Sequence, residues 1–117
     1  MDQDQDWAQG WRDRLQQAGA IAVIRAPSFA LGYEMARAVI AGGMVMVEIT
    51  WNSDRAADLI RQLRRDFPDC CIGTGTILDG AAVGVAHGAG AQFLFSPHTD
   101  REIITAAQAV QLPVVAG

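Results

Sequence analysis

One carboxyl group lies within an otherwise apolar stretch of the chain, Met44 to Thr50. Side chains alternate across a strand, so Glu48 shares a face with Met46 and Thr50. A stretch that is apolar on both faces is typical of a parallel strand in an α/β protein, where charged residues are rarely buried. Glu48 is therefore the first residue that needs an explanation. One interpretation is a structural ion pair with Arg25.

Polar residues also stand at the ends of the other predicted strands. Arg25 ends the first strand, Thr74 and Thr76 the third, and the segment Ser96-Pro97-His98 the fourth. In an open doubly wound sheet the ligand site gathers at one switch point, whereas in a (β/α)8 barrel every strand contributes at its carboxyl end. The pattern therefore favours a barrel.

A nucleotide-binding fold is the alternative, because the segment from Gly73 to Thr76 predicts a backbone that can approach a ligand closely. However, Leu78 stands where the dinucleotide-binding pattern requires its third glycine.

The elements that must position these residues alternate between helix and strand. Residues 1–5 are predicted to be a disordered tail, residues 6–18 a first helix, and residues 20–117 a series of βα repeats. Ser28 and Ser53 are predicted N-caps, and Thr99 with Glu102 forms a capping-box pattern. Strands are predicted over residues 20–25, 44–50, 71–75, 93–96 and 113–115. Regular alternation of this kind indicates one α/β domain with a parallel sheet.

Composition restricts the classes of function. The chain has 117 residues and a net charge of −4, which argues against a nucleic-acid surface. Its start is acidic and no apolar run approaches the length of a membrane span, so we expect a cytoplasmic protein without a membrane partner. Adjacent Cys70 and Cys71 are expected to be reduced thiols. All nine basic residues are arginine, so these residues provide no lysine for Schiff-base chemistry.

Five short motifs, in this order and spacing, resemble one known family. They are Ala41-Gly42-Gly43, Val47-Glu48-Ile49-Thr50, Gly73-Thr74-Gly75-Thr76, and Gly90-Ala91-Gln92-Phe93 followed by Ser96-Pro97-His98. From about residue 21 to 117 the chain is similar to the 2-keto-3-deoxy-6-phosphogluconate / 4-hydroxy-2-oxoglutarate (KDPG/KHG) aldolases. The resemblance implies a TIM barrel, a homotrimer, and class I aldolase cleavage of a small oxo-acid substrate to pyruvate and an aldehyde. It implies no metal and no cofactor.

The resemblance also implies roles for individual residues. Glu48 matches the general acid/base, Thr76 the residue that hydrogen-bonds the pyruvyl carboxylate, and Pro97 the residue that packs against the pyruvyl group. Arg25 is similar to a pocket arginine that contacts an anionic substrate. Some relatives carry arginine where this chain has Asn52, and Thr50 is expected to take over its contact together with Ser53.

The family's barrel is longer than this chain. A complete barrel needs eight strands, so the 117 residues are expected to form a partial barrel of about (βα)4β with an N-terminal helix. The resemblance places the Schiff-base lysine on the sixth strand and the phosphate site after the seventh and eighth. We therefore expect either part of an aldolase, inactive alone, or a non-catalytic half-barrel that oligomerises or binds small oxo-acids. Both edges of the sheet would be open, which predicts self-association.

Overall fold

The computed structural model describes residues 3–117. Within this range five helices alternate with five strands. They are α1 (Gln3–Ala18), β1 (Ala22–Ile24), α2 (Phe29–Ala41), β2 (Met46–Thr50), α3 (Ala56–Asp66), β3 (Cys71–Gly75), α4 (Gly80–Ala89), β4 (Leu94–Ser96), α5 (Arg101–Ala109) and β5 (Val114–Ala116).

The strand order identifies the architecture. The strands lie side by side in the order β1-β2-β3-β4-β5, and each neighbouring pair is parallel. The order follows the sequence without reversal, so the sheet has no switch point of the kind that doubly wound nucleotide-binding folds use. The predicted partial barrel is confirmed, and the nucleotide-binding alternative is wrong.

The two faces of the sheet are covered differently. On one face the strands pack against α2 to α5, through residues such as Val47 and Ile49. On the other face Met46, Cys71 and Phe93 form a smaller cluster. The predicted alternation along β2 is therefore confirmed.

Helix α1 covers the smaller cluster. Trp11 and Leu15 of α1 pack against it, and the ring centroids of Trp11 and Phe93 are 5.5 Å apart. Phe93 is consequently fully buried, whereas Val23 on the edge strand β1 is 61% exposed.

Helix α1 begins earlier than predicted. Its first residue is Gln3 rather than a residue near Asp6, so residues 3–5 of the expected tail are helical. Neither glycine nor proline interrupts residues 3–9, and glutamine is a good helix former. Residues 1 and 2, also assigned to the tail, lie outside the described residues. No helix within residues 3–117 combines the length and the apolar character needed to cross a membrane.

Two of the predicted helix caps are wrong. Helix α3 starts at Ala56, and its N-cap position is occupied by Arg55 in a left-handed conformation, so Ser53 does not cap it. Asp100, not Thr99, caps α5 by accepting hydrogen bonds from two backbone N–H groups. A carboxylate is the stronger acceptor at this positive end of a helix. The predicted cap at Ser28 is confirmed, since its hydroxyl accepts from Leu31 N–H.

Candidate active site

Glu48 lies near the carboxyl end of β2 and is buried, with 6% of its surface exposed. Burial raises the pKa of its carboxyl group, and the positive charge of Arg25 partly offsets this effect. No ion pair shorter than 4.0 Å and no protein hydrogen bond involves the Glu48 carboxyl group within the described part of the chain. The alternative of a contact ion pair with Arg25 is therefore wrong, and the carboxyl oxygens stay available for proton transfer.

The neighbouring strand makes room for this carboxyl group. In the register of β2 and β3, Glu48 lies opposite Gly73 and Thr50 opposite Gly75. A methyl group at Gly75 would overlap the Glu48 carboxylate, and one at Gly73 would lie 2.5 Å from the Phe93 ring. These glycines therefore accommodate the protein's own side chains. The glycine pattern had predicted a backbone that approaches a ligand, because the register between two strands cannot be read from the sequence.

Arg25 lies immediately after β1, whose last pair with β2 joins Ile24 to Ile49. The position keeps the guanidinium on the same side of the sheet as Glu48, because Val23 pairs with Glu48 and Arg25 is two residues further on. Arg25 is exposed. An exposed arginine next to a buried carboxyl group can bind an anionic ligand without forming a permanent ion pair.

Thr76 and Pro97 lie at the same end of the sheet. Thr76 follows β3 directly, is half-buried, and has a left-handed backbone with φ of 59°. Non-glycine residues rarely adopt this conformation, and such strain clusters at functional sites. Pro97 follows β4 and is exposed. The structure thus gathers Glu48, Arg25, Thr76 and Pro97 at the carboxyl ends of four successive strands.

Thr50 is directed into the protein. Its side chain is 2% exposed, and its hydroxyl lies 3.0 Å from the hydroxyl of Ser53, which is also buried. The Ser53 hydroxyl also accepts a hydrogen bond from Ala26 N–H at 3.1 Å. Both hydroxyls therefore form hydrogen bonds within the protein. Neither is free to bind substrate in place of the arginine that some relatives carry at the position of Asn52.

The site is an open surface at the strand ends. Cavities of about 360 and 450 Å³ lie elsewhere, between α1 and the segment from Val110 to Pro113 or along β5. Among the described side chains, those of residues 7–117, no three His, Cys, Asp or Glu groups lie together as metal ligands would. The chemistry available at the strand ends is proton transfer by a carboxyl group beside a guanidinium.

Comparison with known proteins places the chain in a family. The sequence model described as "KDPG and KHG aldolase" matches residues 12–117, which is nearly the whole chain. The chain belongs to the KDPG/KHG aldolase family. Among curated relatives, the KHG/KDPG aldolase of Escherichia coli K12 is 29% identical over 112 residues, covering 96% of this chain and 53% of the relative. The chain spans about half the length of the curated relatives it matches.

Solved structures of KDPG aldolases agree with the fold. A Legionella pneumophila KDPG aldolase, with pyruvate captured as a covalent carbinolamine, superposes with a TM-score of 0.76 at 32% identity. That match covers 83% of this chain and 47% of the other. The KDPG aldolase of Zymomonas mobilis ZM4 gives a TM-score of 0.82 over 97% of this chain and 52% of the other; at 24% identity it supports the fold alone. The partial barrel therefore corresponds to about half of a KDPG/KHG aldolase.

Proposed function

We propose that this chain carries the acid/base part of a class I aldolase site. The reaction cleaves 2-keto-3-deoxy-6-phosphogluconate or 4-hydroxy-2-oxoglutarate to pyruvate and an aldehyde. The observation that carries the proposal is Glu48: a buried carboxyl group with a raised pKa and no protein partner within the described residues, at the carboxyl end of a barrel strand. A carboxylate with a raised pKa is a stronger base than an ordinary carboxylate, which suits it to take a proton from a carbon acid.

The neighbouring residues would bind the pyruvyl part of the substrate. In this proposal Thr76 hydrogen-bonds the carboxylate, Pro97 packs against the pyruvyl group, and Arg25 attracts the anion. The Legionella pneumophila relative, which holds pyruvate as a covalent carbinolamine, supports pyruvate as the ligand class.

The amine is the part that these residues do not supply. The 117 residues contain no lysine, so the nucleophile of a class I aldolase must come from outside them. This separates two steps that a complete enzyme combines: formation of the iminium with pyruvate, and removal of a proton from its methyl carbon. The second step can be tested on this chain if a small amine replaces the missing one.

The test is amine-dependent hydrogen exchange. Pyruvate and methylamine condense in D₂O to an iminium with loss of water. In the site, the Glu48 carboxylate takes a proton from the methyl carbon to give the enamine, and then returns a deuteron. Proton NMR measures the loss of the methyl signal. We expect exchange above the protein-free rate, and Glu48→Gln should lower that excess on the order of 10²-fold, as for a general base.

A matched control is Glu34→Gln, which removes an exposed carboxylate paired with Arg37 at 2.9 Å. This variant should catalyse hydrogen exchange of the pyruvate methyl group at the same rate as the parent chain. If Glu48→Gln and the parent chain exchange equally, the acid/base proposal is wrong. Pyruvate binding with no exchange beyond the protein-free rate would favour the alternative, a non-catalytic half-barrel that binds oxo-acids.

We further propose that the chain forms a homo-oligomer through its open sheet edges. Support comes from the strand order of the described residues, in which β1 and β5 are the two ends of the sheet and each pairs with a neighbouring strand on one side only. Exposed edges pair readily with other chains. Light scattering at micromolar concentration tests this, and a monodisperse monomer would contradict it.

A further inference from the structure

The connection between β2 and α3 is bonded to the connection between β1 and α2. Ala26 N–H donates to Ser53 Oγ at 3.1 Å, and Asp54 N–H donates to Ala26 O at 3.2 Å. Phe29 N–H donates to Asp54 Oδ2 at 3.2 Å, and the Arg55 guanidinium lies 4.6 Å from the Phe29 ring centroid. We call these contacts between residues 26–29 and residues 53–55 the loop latch. They join two chain segments that are about a quarter of the sequence apart.

The loop latch replaces ordinary helix capping. Ser53 precedes α3 but does not cap it, and Arg55 at the N-cap position has φ of 51° and no side-chain cap. A non-glycine residue in this conformation is strained. The buried Ser53 hydroxyl instead bonds across the chain to Ala26 and lies 3.0 Å from the Thr50 hydroxyl. The tertiary contact with Ala26 therefore replaces the local role of Ser53 as a helix cap.

The residues on both sides of Arg25 are paired or hydrogen-bonded to the chain segment that contains Glu48. On one side is the last pair of β1 and β2, Ile24 with Ile49. On the other side is Ala26, whose N–H and carbonyl groups are both bonded to residues 53 and 54. Strand β1 is an edge strand with β2 as its neighbour. Beyond the end of the β1-β2 pairing, the loop latch holds the two chain segments together.

Arg25 is the charged group that acts on Glu48. Strand β1 contributes Arg25, and β3 contributes Gly73 and Gly75, which have no side chains, at the positions beside Glu48. The β3 thiol of Cys71 lies at the opposite end of the strand, and Phe93, before β4, is uncharged. Within the described residues, burial is the larger influence on the Glu48 pKa and raises it, and the positive charge of Arg25 is the influence that opposes burial.

We propose that Ser53, together with Asp54, is a positioning residue that fixes Arg25 beside the Glu48 carboxyl group. The catalytic meaning of this inference rests on the proposed function of Glu48. Its test uses no substrate, so a failure of the exchange reaction and a failure of the latch are distinguishable.

The test is an NMR titration of the Glu48 side-chain carboxyl carbon in selectively labelled protein. Ser53→Ala removes the acceptor of Ala26 N–H, which should free Arg25 and shift the Glu48 titration to higher pH. Arg25→Ala sets the upper limit of that shift, and Ser53→Ala should add nothing in the Arg25→Ala background. Ser53→Thr keeps the hydroxyl and should restore the parent titration.

The matched control is Ser28→Ala, which removes one serine-to-backbone hydrogen bond from the same connection without touching Ala26. It should leave the Glu48 titration unchanged. The inference is overturned if Ser53→Ala folds and titrates like the parent chain, or if Ser28→Ala shifts Glu48 equally. If Ser53→Ala does not fold, Asp54→Ala removes the bond from Phe29 N–H alone; a smaller shift in the same direction supports the latch, and no shift overturns it.

Discussion

The close approach of Glu48 to the backbone of Gly75 leads to a quantitative prediction. A methyl group added at Gly75 would overlap the Glu48 carboxylate. Gly75→Ala should therefore force the carboxyl group out of its position. The cost in the free energy of unfolding should be about 1 kcal/mol, at the low end for overpacking, because the end of a flexible side chain that has no partner among the described residues can turn away. Substitution of Glu48 removes the obstacle.

When Glu48 is absent, Gly75→Ala should raise the free energy of unfolding instead of lowering it. In a Glu48→Ala background the new methyl group meets no carboxylate, and Gly→Ala stabilises a compatible position by about 0.4–1 kcal/mol by restricting the unfolded chain. The two substitutions should therefore couple by about 1.5–2 kcal/mol, within the range found for residues in contact.

Urea unfolding of the four proteins of this double-mutant cycle measures the coupling, provided that each unfolds in one transition. Gly84→Ala is the control: the site is exposed within α4 and a methyl group there would meet no atom within 4 Å. It should stabilise the chain by about 0.5–1 kcal/mol in both backgrounds. An equal cost of Gly75→Ala with and without Glu48 would refute the placement of the carboxyl group over Gly75.

Two further predictions concern buried titratable groups. Because burial raises the pKa of Glu48 above its ordinary value of 4.5, the stability that its protonated form allows is fully present below that value and is lost as pH rises through the raised pKa. In urea unfolding, Glu48→Gln should then have the same free energy of unfolding as the parent chain in acid and a higher one above the raised pKa. If the difference in stability between the two proteins did not change with pH, the burial of Glu48 would be contradicted. Burial also raises the thiol pKa of Cys70 and Cys71. A thiol-specific disulfide reagent at mildly alkaline pH should modify both slowly in the native chain and rapidly in urea, and equal rates would exclude their burial.

The sequence by itself determined the fold class and the position of the central carboxyl group. Alternation of helix and strand signals indicated a parallel sheet, and polar residues at successive strand ends favoured a barrel over a switch-point site. Glu48 was identifiable because a carboxyl group in an apolar strand is costly to bury, so its presence there requires a reason. These signals are local in the sequence, which is why they can be interpreted without coordinates.

Only the tertiary structure decided which groups meet. The register of β2 and β3 places Glu48 over a glycine, and no local pattern reveals a register between strands that are about 25 residues apart. Ser53 has the residue type and the position expected of a helix N-cap. Its hydroxyl nevertheless accepts a hydrogen bond from Ala26 N–H, because this contact competes with capping of α3. The unpaired carboxyl group of Glu48 is likewise a property of packing: Arg25 is near enough to lower its pKa but does not form the ion pair that their residue types suggest.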